Sequence, residues 1–171
     1  MYRVDRRKFN LKEVILPSPN SYQEKGRLHA NGVIIEEALE STRPESKLYK
    51  RKDGLFVFRD LCDAVAFHQV MRDSNIYKVE STPDTLLFHR GDMNFTELMN
   101  HMISDKISLE SLAKLYWQSK KTFKPCWEML FNEVKVKAIL DTAGLKSEYN
   151  NSSGQFEAMP SYRRLLNSRF A

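Results

Sequence analysis

The stretch from Gly54 to Met71 constrains this chain most, because a strand and a helix follow one another there with almost nothing between them. Leu55-Phe56-Val57-Phe58 is short, apolar and aromatic, and Gly54 bounds it, as expected of a buried strand. Asp60 is placed to cap a helix, and Leu61, Ala64, Val65, His68 and Met71 then recur on one stripe at helical spacing. The local grammar is strand, tight connection, helix, which calls for a sheet with helices packed against it.

The rest of the chain extends that pattern. Tyr2 to Asp5 alternates Tyr and Val with Arg and Asp, which predicts a short strand carrying Arg3 and Asp5 on one face. Val33, Ile34, Ala38 and Leu39 predict a short helix, and the charged stretch from Ser41 to Asp53 is expected to be solvated. Residues 76–80 (IYKVE) and 85–89 (TLLFH) read as strands that a Ser-Thr-Pro-Asp turn joins into a hairpin. Phe95, Leu98, Met99 and Met102 predict one amphipathic helix, and Leu109, Leu112, Ala113 and Tyr116 a second that opens at Ser108. The run CWEMLFNEVKVKAIL at 126–140 predicts one or two strands. Residues 17–32 have the Pro, Asn, Ser and Gly content of a long functional loop. From residue 143 onward a flexible connector and a basic terminal helix are expected, which leaves residues 1–142 as the domain. Strands and helices do not follow a regular βαβ rhythm. The expected class is therefore α+β, a mixed and mostly antiparallel sheet flanked by helices.

At 171 residues with 42% hydrophobic content the chain can bury a real core, which argues against disorder. It has no run of 18 apolar residues and its first ten are charged and polar, so neither a membrane span nor a signal peptide is expected. With Cys62 and Cys126 too few for a disulfide framework, both are expected as reduced thiols in or near the core of a cytoplasmic protein. The four histidines share no metal-ligand spacing, so no metal is expected. Net charge of +5 favours an acidic partner such as nucleic acid or a phosphorylated small molecule, although many basic proteins bind neither. No glycine-rich nucleotide loop occurs, which argues against Rossmann and P-loop enzymes.

The order of segments resembles the ADP-ribosyltransferases, in particular small bacterial members such as rifampin-modifying enzymes and DNA-targeting toxins. Tyr2-Arg3-Val4-Asp5 looks like the family's first strand, which carries an Arg or His for NAD. LFVFRDLCDAVAF at 55–67 resembles its second motif, and CWEMLFNEVKVKAI the late segment with a catalytic Glu. The resemblance implies a split-sheet fold and NAD as substrate, a nucleic acid or protein acceptor, and a toxin's or phage conflict factor's inhibitory partner protein. Arg3, with Asp5 beside it, would hold the dinucleotide, because a guanidinium presents a planar fork of donors to phosphate or ribose oxygens. Tyr22 or Phe58 would stack on nicotinamide, and Arg90 in the polar cluster 89–93 would face phosphate. Glu128 would be the catalytic carboxylate, accepting from a ribose hydroxyl as positive charge builds on the sugar. Glu128→Gln is then expected to leave the fold intact while abolishing turnover.

Just before Glu128, Trp117, Lys121 and Phe123, with Lys120 and Lys124, set aromatic and cationic groups together where a substrate-recognition loop would fall; such a mixture suits a nucleobase. Each assignment has a plainer alternative. Arg3 can be a strand-edge Arg, Phe58 a core ring, the 89–93 cluster with Arg90 a turn with a surface ion pair, Glu128 an exposed-face carboxylate, and the basic loop merely solvated. At the level of the whole chain, a non-catalytic nucleotide- or nucleic-acid-binding module and a basic interaction protein stand beside the transferase.

Overall fold

A computed structural model of the chain describes residues 1–18, 30–47, 49–71 and 73–143. Its elements in chain order are β1 (Tyr2–Asp5), β2 (Val14–Ile15), α1 (Ala30–Ser41), a 3-10 turn (Arg51–Asp53), β3 (Leu55–Phe58), α2 (Leu61–Val70), β4 (Asn75–Glu80), β5 (Leu87–Asp92), α3 (Asn94–His101), α4 (Lys106–Trp117), β6 (Trp127–Phe131) and β7 (Val134–Leu140). Among the described residues the strands form one seven-stranded sheet in the order β2-β7-β4-β1-β3-β6-β5, and every neighbouring pair is antiparallel. The expected class, α+β with a mostly antiparallel sheet, is what the chain adopts.

Residues directly opposite on neighbouring strands share a face, and faces alternate along each strand. Tyr2 pairs with Phe58, Phe58 with Glu128, and Glu128 with Gly91, so these four lie on one face. That face carries the helices. Val4, Phe58 and Ile76 pack against Ala64 and Val65 of α2, while α1, α3 and α4 form a second cluster around Leu39, Phe95, Met99, Tyr116 and Trp117. The opposite face holds Val57, Tyr77, Met129 and Phe131 in a third cluster that reaches Ile15 and Val136. Each fully buried aliphatic side chain contributes roughly 1.5–3 kcal/mol relative to leaving it exposed.

The local expectations fared unevenly. Asp60 occupies the N-cap position of α2 with extended backbone but its side chain makes no capping hydrogen bond, and Arg3 bonds Asp5 from the shared face. α4 opens earlier than Ser108, because Asp105 caps it by accepting from the backbone N–H of Ile107 and Ser108 (3.1 and 3.3 Å). The hairpin expected between 76–80 and 85–89 does not form. β4 and β5 are separated by β1, β3 and β6, and their connection is held instead by the β6–β7 turn, where Asn132 accepts from the Leu86 N–H (2.6 Å) and donates to the Asp84 carbonyl (2.9 Å). The two-residue strand β2, on the sheet edge beside β7, falls in a stretch with no strand pattern. Cys62 is exposed rather than in the core, Cys126 is half-buried, and both are free. Among the described residues no helix is long and apolar enough to cross a membrane, and no cluster of three or more metal-ligating side chains occurs.

Candidate nucleic-acid interface

Residues 118–126 link α4 to β6 and run beside the end of β5, where Asp92 pairs with Trp127. The linkage begins at Ser119, whose φ of 54° turns the chain sharply off the helix, and the Ser119 hydroxyl donates to the Arg90 carbonyl at 2.7 Å. Asp92 is fully buried and holds the rest. Its carboxylate accepts from the backbone N–H of Thr122 (2.7 Å), the Thr122 hydroxyl (2.8 Å), and the backbone N–H of Cys126 and Asn94 (2.9 and 3.1 Å). The Asn94 amide adds bonds to the Thr122 hydroxyl and the Lys124 carbonyl. A carboxylate saturated with donors in this way fixes the loop before any ligand arrives, so little ordering entropy remains to be lost on binding.

The pinned loop displays charge and an aromatic ring to solvent. Phe123 is 84% exposed, and Lys120, Lys121 and Lys124 around it are exposed as well. A phenylalanine this open contributes nothing to the core, and none of the three lysines has a carboxylate partner among the described residues. On the neighbouring strand, Arg90 lays its guanidinium over the Trp127 ring, 3.8 Å from the centroid. Lys121, Phe123 and Arg90 therefore gather at one end of the sheet.

Trp117 does not join them. It is 4% exposed, its indole N–H donates to the Leu39 carbonyl at 2.7 Å, and its ring packs on His89 and Tyr116, so it is a core residue and not a ligand platform. Phe58 is likewise buried, tilted against Phe67 of α2 at 5.2 Å, which removes it as a nicotinamide-stacking ring. Tyr22 lies outside the described residues, as does the expected tail beyond residue 143.

Arg3 and Asp5 form a small site of their own. β1 registers with β3 only at Tyr2 and Phe58, and the strands part beyond that point, where Arg3 donates to the Phe56 carbonyl at 2.7 Å. Asp5 accepts from Arg3 (2.9 and 3.2 Å) and from Arg7 through both side chain and backbone. Burial alone would raise the Asp5 pKa, but the bonds from Arg7 and Arg3 outweigh it and hold the carboxyl below its usual range. Burial also lowers the Arg3 pKa, opposed by Asp5. Arg3 is thus an ion-paired clasp across the parting strands.

Glu128 differs most from its expected role. It is 1% exposed and engaged on both carboxylate oxygens: Arg51 donates to Oε1 at 2.9 and 3.2 Å and to Oε2 at 3.2 Å, and the Tyr116 hydroxyl donates to Oε1 at 2.5 Å. Arg51 also pairs with Glu36 of α1 and stacks on Phe56. Burial first, and then the Glu128 charge, hold the Tyr116 phenol well above its usual pKa, so it stays a neutral donor. Register places Glu128 on the helical face and Arg3, opposite Tyr77, on the other. An ion pair this deep is costly to desolvate, and it persists because nearly every lone pair and proton is matched. Arg51 itself overturns the expectation that the whole of 41–53 is solvated, since it is 5% exposed.

Sequence reasoning missed Arg51, Tyr116 and Asp92. No periodicity flags Arg51, which sits in a charged run, but the buried Glu128 between Trp127 and Met129 implied that some cation had to meet it. No protein-family model matches the chain, and no curated protein does.

Proposed function

We propose that this chain is a non-catalytic module that binds single-stranded nucleic acid through the 118–126 loop. One observation carries the reading: a loop fixed by the buried Asp92 holds a fully solvated Phe123 among three unpaired lysines. Lysines neutralise backbone phosphates and the ring stacks on a base, a combination that tolerates any sequence because every base has a π-face. The excess of 27 Lys and Arg over 22 Asp and Glu supports the same partner. Fluorescence anisotropy of a labelled oligonucleotide titrated at several salt concentrations tests it. Three lysines and Arg90 on four phosphates give a slope of log K against log salt of about −3. Replacing the three lysines with Ala should cut the slope to about −1. No binding at low salt, or a slope unchanged by the substitutions, would exclude the loop.

A second reading, NAD-dependent ADP-ribosyl transfer to a nucleic acid or protein acceptor, is favoured by topology. The segments that carry the family resemblance, Tyr2–Asp5, 55–67, the 76–80 strand that follows the helix, and 126–139, span roughly residues 2 to 140 and contain the consecutive strands β7, β4, β1, β3 and β6. In that reading Glu128 would have to leave Arg51 and Tyr116 to reach a ribose hydroxyl, and Arg3, on the opposite face of the sheet, would not share its cleft. Incubation with labelled NAD and cell lysate, followed by protease or nuclease, distinguishes the two: label on an acceptor favours the transferase, and unlabelled lysate favours the binding module.

A further inference from the structure

Beside the loop lies a pair of side chains whose arrangement has no structural partner to account for it. Arg90 stacks on Trp127 at 3.8 Å, and its Nε is buried with no hydrogen-bond acceptor. Among the described residues no carboxylate lies within ion-pair distance of Arg90. Among the described residues, the arginines with the most buried side chains in ion pairs are matched by acids: Arg3 by Asp5, and Arg51 by Glu36 and Glu128. Arg90 is oriented by a ring and left without an anion.

Its position ties it to the loop. Ser119, where the loop begins, donates to the Arg90 carbonyl, and Cys126, where it ends, precedes Trp127. The two ends of the lysine-bearing segment therefore flank the stacked pair. Both Arg90 and Trp127 are half-buried.

We propose that Arg90 and Trp127 form a second subsite for the same bound strand, in which a nucleobase stacks on the outer face of the Arg90 guanidinium and an adjoining phosphate takes its charge. This rests on the nucleic-acid reading of the loop and extends it from a single contact at Phe123 to a path across the β5–β6 end of the sheet. Arginine suits the position because its planar group accepts stacking on both faces at once, whereas a lysine ammonium offers charge without a plane.

The test is a length series of labelled oligothymidylates, from four to twelve nucleotides, measured by anisotropy against the full chain and against Arg90→Lys and Trp127→Leu. The wild-type chain should bind the longer strands more tightly than the tetramer. Arg90→Lys should weaken the twelve-nucleotide strand about 5- to 50-fold, as loss of one stacked base does, while changing tetramer binding less than about twofold. Trp127→Leu should do the same, and an unchanged near-ultraviolet dichroism of Arg90→Lys keeps the result independent of folding. If both variants bind the long strand as the wild type does, the subsite is refuted while the loop reading survives. If the wild-type chain binds no oligonucleotide of any length, both fall together.

Discussion

Replacing Arg51 and Glu128 singly and together examines whether the buried network is a structural support. Arg51→Met strands two carboxylates, Glu36 and Glu128, the second of them 1% exposed. Leaving one member of a buried pair unmatched costs about 3–5 kcal/mol, and two orphaned acids place this variant near the upper end. Glu128→Met leaves Arg51 with Glu36 but deprives the Tyr116 hydroxyl of its acceptor, for a cost of about 3 kcal/mol. In the double variant the buried Glu128 charge is gone, and what is left unmatched is the Tyr116 hydroxyl and Glu36, whose side chain is 11% exposed at the end of the network nearest solvent. The double variant should therefore lose less than the sum of the singles, by about 2–3 kcal/mol. Urea denaturation followed by tryptophan fluorescence measures each term, provided the m-value is unchanged across the set. Arg51→Met within about 1 kcal/mol of wild type, or strictly additive singles, would refute the reasoning and return Glu128 to the list of groups free to meet a substrate.

Other consequences are equally direct. A methyl group on Gly91 would lie 2.1 Å from a Tyr116 ring carbon, so Gly91→Ala should cost about 3 kcal/mol in the same denaturation assay, and a neutral result would mean the ring is not seated against β5. His89 is pushed down to about 4 by burial, then by Lys47 and Arg51. Because the unfolded chain takes up that proton first, this histidine's contribution is present above pH 6.5 and is lost as pH falls toward 4, which histidine NMR titration can follow. Asp63 moves oppositely, raised to about 6 by burial and then by Asp60 and Asp92, so the folded chain holds its proton longer and stability falls as pH rises from about 4 to 6. Asp63→Asn should accordingly gain about 1 kcal/mol at pH 7.5, after discounting for its partial exposure, and nothing at pH 4; equal effects at both would contradict the assignment. Asp92→Asn should free the loop and speed trypsin cleavage after Lys120 and Lys121, whereas wild-type cleavage rates would show that something else holds it.

The elements that were legible in the sequence are those with a local cause. The 55–71 strand and helix were readable because an apolar run and a helical stripe abut there, and Arg3 and Asp5 were placed on one face by strict alternation. What escaped depended on partners distant in the chain. The turn at 81–84 looks like a hairpin locally, yet β4 gains two strand neighbours by pairing with β1 and β7, and nothing in the turn encodes that. Trp117 and Phe123 are both aromatic and only six residues apart, but the first closes the α4 stripe against Leu39 while the second follows the left-handed Ser119, and sequence composition alone gives them the same weight. Glu128 stands between Trp127 and Met129 in an apolar run, and the fold buries it. Its partner Arg51, 77 residues away, could be known only once β3 and β6 were seen to pair.

The central claim is that the 118–126 loop meets a nucleic-acid strand, and photocrosslinking tests it at the residue concerned. An oligonucleotide carrying 5-iodouracil, irradiated with the full chain and mapped by mass spectrometry after proteolysis, should attach at Phe123, with the yield falling steeply as salt rises. Adducts confined to residues away from this loop, or none at low salt, would contradict the account.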